Sequence, residues 1–206
     1  MTGAKTKKAA RKEHRALAPV VALRDHPAVK LVEPTAKAAD EPPLLALSLA
    51  TLAIGAVLRR PAIVRTGARM VASHIVATGL KTVMKGAVDR TRPAAAGGSA
   101  KLSKGSGTKD GSKNAFPSGH TAGAVAVAQA VAHELPGTSG AARTLAGVAG
   151  ALQVPRGAHY LTDVAAGAAT GWLAERIAGL VLARIDTARA DRSVRIAEEE
   201  AAAHPS

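Results

Sequence analysis

Between positions 44 and 185 the chain offers helix-length apolar stretches of alanine, glycine, valine and leucine, and none of the strict apolar–polar alternation of a half-buried strand. Helix against helix is then the way left to bury a core, so the expected class is all-α, a helical bundle. Small residues also govern how such helices meet, because they let backbones approach closely, as inside a bilayer. Gly119 with Gly123, and Gly167 with Gly171, have the four-residue spacing of flat contact faces. Only Phe116, Tyr160 and Trp172 are aromatic, so the ring area on which water-soluble cores lean is nearly missing. A coding bias toward G and C would enrich the same small residues.

Breakers divide the chain. Residues 1–41 mix charges and alanine with three prolines, show no sustained apolar face, and read as a basic mobile tail. An apolar run over 44–58 stops at Arg59-Arg60-Pro61. It is shorter than the roughly 20 residues of a comfortable membrane span, a deficit that snorkelling flanks or local thinning can make up. A second helix is expected over 62–91, with Arg65 and Arg69 at one end and Lys81 and Lys85 at the other, where cationic stems reach headgroups. Residues 94–115, rich in Gly, Ser and Lys, form the longest internal loop. Further helices are expected from a Ser118 cap to Pro136, over 139–154 ahead of Pro155, and from a Thr162 cap to Ile185. The reading is a domain over 42–188 of about five helices, followed by a polar tail over 189–206.

A formal charge of +13 calls for an anionic partner: nucleic acid, an anionic membrane surface or a phosphorylated substrate. The absence of cysteine excludes disulfides, zinc–thiolate sites and thiol nucleophiles. The basic start is followed by too short an apolar run, residues 20–23, for a cleaved secretory signal. Nucleic acid is disfavoured as a partner, because stacking aromatics and any recognisable DNA-reading unit are missing.

Three motifs carry chemistry. Lys85 and Arg92 are seven residues apart, two helical turns, and so share a face if the helix persists; Pro93 predicts its end near Arg92. Ser118-Gly119-His120 reads as a capped helix start, whose free amides and positive dipole suit an anion. Glycine there leaves room for a phosphate, and His120 is placed to protonate a leaving oxygen. His159 precedes Asp163 by four residues, the reach at which a carboxylate fixes an imidazole tautomer and leaves the other nitrogen nucleophilic. Singly, each also fits a bland role: solvated cations, an ordinary helix cap, a surface histidine beside a capping acid.

In this order and at these separations the three motifs resemble the signature of the type 2 phosphatidic acid phosphatase family, which also includes bacterial acid phosphatases and vanadium haloperoxidases. The resemblance runs from Lys85 to Asp163 and extends to the helices on either side. It implies a two-step phosphatase without metal or other cofactor, with its active site at one end of the bundle. His159 would form a phosphohistidine, Asp163 would hold its ring, and His120 would protonate the leaving group. Lys85, Arg92, Ser118 and the Gly119 amide would hold the non-bridging oxygens.

One position departs from the family pattern. Where the family carries a phosphate-gripping arginine ahead of the nucleophile, this chain has Gln153, which brings no charge and no fork. Arg156, beside Pro155 and Gly157, is the expected substitute. The function expected is that of a multi-pass cell-membrane phosphatase acting on a lipid phosphate or isoprenoid (di)phosphate. A degenerate relative that binds lipid phosphate without efficient catalysis, and a soluble acid phosphatase on the same scaffold, stay open.

Overall fold

The computed structural model describes residues 2–97, 100–108 and 110–203. Proline fixes φ near the helical value and lacks the N–H that a first turn leaves unbonded, so Pro27, Pro42 and Pro61 each stand at a helix start. The helices are α1 (Thr2–Ala22), α2 (Pro27–Lys37), α3 (Glu41–Val57), α4 (Pro61–Ala87), α5 (Gly119–Glu134), α6 (Ser139–Ala151) and α7 (Leu161–Ala203). Between α4 and α5 two short strands, β1 (Val88–Arg90) and β2 (Leu102–Lys104), pair antiparallel, with Asp89 opposite Ser103.

Helix α5 is the axle, packed against α3, α4, α6 and α7. Its buried residues are small, from Thr121, Ala122 and Gly123 to Ala130 and Ala132, which lets it lie at the centre of the bundle. Backbones touch where the glycines fall. A Cβ at Gly167 would lie 2.5 Å from the Ser118 carbonyl oxygen, and one at Gly171 2.3 Å from that of Ala122. Gly67 does the same between α3 and α4, where a Cβ would sit 2.3 Å from the Leu52 nitrogen. Gly119 and Gly123 face side chains instead, those of Lys81, and of Leu44 and His74.

Several expectations change. The segment over 1–41, expected as a mobile tail, is helical through α1 and α2, and α1 is tied to the bundle. Glu13 accepts from the Thr162 amide (2.9 Å) and from Arg90 Nη2 (2.6 Å), and His14 Nδ1 lies 3.1 Å from the Tyr160 hydroxyl. Helix α4 stops at Ala87, short of Arg92, because the Gly105 amide caps the Ala87 carbonyl at 2.8 Å. Only glycine fits there: a Cβ at 105 would lie 2.0 Å from the Gly86 oxygen. Within the expected loop over 94–115, Gly98, Ser99 and Lys109 lie outside the described residues, and strand β2 was not foreseen. Helix α7 continues past 185 through most of the expected polar tail, its exposed turns carried on alanine and charged residues that propagate a helix well; residues 204–206 lie outside the described residues.

The expected spanning helices need correction as well. Among the described residues no helix is long and apolar enough to cross a membrane. Helices α3, α5 and α6 have 17, 16 and 13 residues, α4 carries cations toward both ends, and Glu175-Arg176 interrupts the apolar part of α7. Arg69 does not snorkel outward: it is mostly buried, with Nη2 2.5 Å from Glu175 and Nη1 3.4 Å from Glu134.

Candidate active site

The loop that follows β1 delivers Arg92. Its backbone is extended, as a residue before proline prefers, and its amide donates to the Ser112 carbonyl at 2.8 Å. The next turn is stitched to the α6–α7 loop by the Ala94 amide, which donates to Gly157 O at 3.0 Å. Gly157 has φ +66, the left-handed region that glycine enters freely. Lys85, in the last turn of α4, donates from Nζ to the Asn114 carbonyl at 2.9 Å. Thus Lys85 and Arg92 do not share a helix face, yet loop and helix bring both to one cleft.

Ser118 is the N-cap of α5, as expected, its Oγ accepting from Thr121 N at 3.4 Å and from Thr121 Oγ1 at 2.9 Å. Its amide donates to the Asp163 carbonyl at 3.0 Å, which joins the starts of α5 and α7. Gly119 and His120 then open the helix, with their amides among the unbonded ones of a first turn.

His159 is buried, and its Nδ1 lies 2.7 Å from the Ala115 carbonyl oxygen. A carbonyl only accepts, so Nδ1 carries the proton and Nε2 the lone pair. Burial pushes the imidazole down to about 3, with the nearby Arg92 charge adding, so the ring is neutral at ordinary pH. The rings of His159 and His120 lie 5.9 Å apart at 66°.

Asp163 is not the partner of this ring. Its Oδ1 accepts from Arg90 Nη1 at 2.6 Å and its Oδ2 from the Tyr160 amide at 2.8 Å. The second bond is half of a capping box, so α7 starts on Tyr160 rather than on the expected Thr162 cap, whose amide and hydroxyl bind Glu13. Burial raises the Asp163 carboxyl to about 6 against the pull of Arg90, leaving it ionised at neutral pH.

A cleft of about 290 Å³ is lined by Lys85, Arg92, Gly119, His120 and His159. Ser118, Asp163 and Arg156 do not line it. Arg156 donates from Nη1 to Gln153 Oε1 (3.1 Å), lies 3.7 Å from Glu33, and borders a neighbouring cavity. Its charge is still felt: burial first, then Arg156, lowers the Arg92 guanidinium. Gln153 is buried and donates to the Ala149 carbonyl.

The family model described as the PAP2 superfamily matches residues 66–184, more than half of the chain. The chain belongs to the PAP2 superfamily. Two solved structures share the fold. The crystal structure of Aquifex aeolicus LpxE aligns with a TM-score of 0.60 at 19% identity, covering 80% of this chain and 92% of that one. A transmembrane PAP2-type phosphatidylglycerolphosphate phosphatase from Bacillus subtilis aligns with a TM-score of 0.55 at 21% identity, covering 89% of each chain. No curated protein sequence gives a significant match.

This PAP2 cleft holds residues that motif reading did not select. Asp40, at the N-cap of α3, turns away from the helix and pairs with His120 Nε2. Glu41 beside it pairs with Lys81. Both sit in the stretch read as tail, and acidic residues at a proline-marked helix start were the available signal. His74, buried in α4, borders the cleft with neither ring nitrogen bonded among the described residues. No group of three or more metal-ligating side chains occurs among the described residues.

Proposed function

We propose that this PAP2 protein hydrolyses a lipid phosphate, or an isoprenoid (di)phosphate, through a phosphohistidine on His159. The observation that carries the reading is the pairing of a neutral His159, its Nδ1–H held by a carbonyl, with cations and a second histidine in one cleft. Nε2 of His159 attacks phosphorus in line. Lys85, Arg92 and the amides of Gly119 and His120, which the first turn of α5 leaves unbonded while the Ser118 cap takes that of Thr121, take up the charge of the transition state. His120, lowered by burial but raised by Asp40, gives its proton to the leaving oxygen and then activates water. Asp163 acts through the backbone: it holds the Tyr160 amide next to the nucleophile and anchors Arg90. Arg156 contributes its field from the neighbouring wall.

A lipid site also accounts for the surface. Val57, Val83, Leu180 and Leu145 are 81%, 73%, 69% and 66% exposed, and further large aliphatics are exposed on the same helices. Exposed apolar area on this scale points to a membrane or partner surface. We assign it to lipid, so that the bundle works as a membrane-associated enzyme with lipid chains against α3, α4, α6 and α7. The second reading, a degenerate phosphate binder, rests on Gln153 standing where the family has arginine.

The test is phosphate release from purified protein in detergent, against phosphatidate, phosphatidylglycerol phosphate and isoprenyl mono- and diphosphates. His159→Ala abolishes release, EDTA leaves it unchanged, and an alkali-stable, acid-labile phosphoenzyme forms on wild type alone. Full turnover by His159→Ala, or strict dependence on added magnesium or zinc, refutes the mechanism.

A further inference from the structure

A phosphate monoester brings close to two negative charges into a cleft where burial, reinforced by Arg92 and Lys81, has already lowered Lys85 to about 8. The family's third cation is missing at Gln153, and the guanidinium of Arg156 is turned to Gln153 and Glu33, outside the cleft. Charge of the right sign does reach the cleft from another element. Lys81 lies four residues before Lys85, on the same face of α4. It borders the cleft with Arg92, His120 and His159, and only 15% of its side chain is exposed.

The contact with Gly119 fixes where that side chain goes. A Cβ at position 119 would stand 3.3 Å from Lys81 Cδ and 3.6 Å from its Nζ. The ammonium therefore lies over the first residue of α5, where free amides already favour an anion. A side chain at 119 would press on the lysine stem by a few tenths of an ångström. Glu41 pairs with the ammonium there.

We propose that Lys81 is a phosphate-binding residue of this chain, supplying from α4 the cation that Gln153 does not supply from the α6–α7 loop. The proposal rests on the reading of the cleft as a phosphate site. Glu41 is then the carboxylate with which a phosphate competes for the ammonium.

Calorimetric titration of the full chain with inorganic phosphate decides it, because binding is read without turnover. Lys81→Met weakens phosphate roughly tenfold or more, the scale of a lost charged hydrogen bond, while Lys81→Arg, which keeps the charge, loses less. Arg156→Met costs less than Lys81→Met. Glu41→Gln, in which Lys81 is intact, tightens phosphate binding and guards against a folding artefact in the lysine variant. Unchanged affinity in Lys81→Met, or weaker affinity in Glu41→Gln, overturns the assignment. Phosphate bound by wild type without hydrolysis of any lipid phosphate refutes the reaction instead, and the same affinities still decide Lys81. A wild-type chain that binds no phosphate overturns both.

Discussion

Lowering the pH should destabilise this protein by an amount traceable to His159. The imidazole is buried with its Nδ1 proton on Ala115, and burial depresses its pKa to about 3. An unfolded chain returns it to about 6.5. The folded state then binds fewer protons than the unfolded state, so stability is fully present above pH 6.5 and is lost as pH falls toward 3. Each unit is worth about 1.36 kcal/mol, and between pH 7 and pH 5 the unfolded ring gains its proton while the folded one does not, a loss of about 2 kcal/mol. His74 and His120 are also depressed by burial and add losses of the same sign. Asp163, raised to about 6, works the other way, since its folded form binds protons more tightly than the unfolded form. Those contributions cancel between wild type and His159→Gln, which keeps a donor for the Ala115 carbonyl and does not titrate. Denaturant unfolding in mild detergent at pH 7, 6 and 5, followed through Trp172, should show wild type losing about 2 kcal/mol more than the variant. Parallel losses in the two proteins would refute the assignment of a neutral, desolvated nucleophile.

Two further perturbations probe neighbouring parts. Asp40→Asn removes the carboxylate paired with His120, so its pKa falls further and the pH–rate profile for an alkyl phosphate shifts to lower pH with reduced turnover. An aryl phosphate, whose leaving group needs little protonation, should respond less; superimposable profiles for wild type and variant would exclude Asp40 as a partner of the acid. Gly167→Ala pushes a methyl group toward the Ser118 carbonyl, 2.5 Å from the ideal Cβ, and should cost about 1–3 kcal/mol. Because Ser118 carries the start of α5, turnover should fall together with the melting temperature; a fully stable, fully active variant would show that the α5–α7 contact can yield.

The bundle was legible because its signals are local. Proline starts, the Ser118 cap and long alanine runs set the central helices nearly where they lie, and the four-residue spacing of Gly167 and Gly171 correctly marked a close contact. What the sequence hid depends on distant partners. Nothing near Ala87 shows that Gly105 will cap α4, and nothing in a charged, alanine-rich start shows that Glu13 will find Thr162 and Arg90. A helix with no sustained apolar face holds its place here through the Glu13–Arg90 ion pair and hydrogen bonds to Thr162 and Tyr160, which leave no period to read. The same is true of Arg69, whose partners Glu134 and Glu175 come from α5 and α7.

In the site, Lys85, Arg92, Gly119, His120 and His159, which the motifs supply, line one cleft. Motif spacing failed at the contacts that set each group's state. Four residues from histidine to aspartate is a distance at which a bond can form, but the Tyr160 amide and Arg90 are nearer claimants for Asp163, so the tautomer of His159 falls to the Ala115 carbonyl. The two acids that do reach cleft side chains, Asp40 on His120 and Glu41 on Lys81, stand at the start of α3, a place that motif spacing never samples. A signature written as residues along the chain picks out groups that line the cleft. Who holds those groups is decided by whichever carboxylate or carbonyl the rest of the fold leaves within reach.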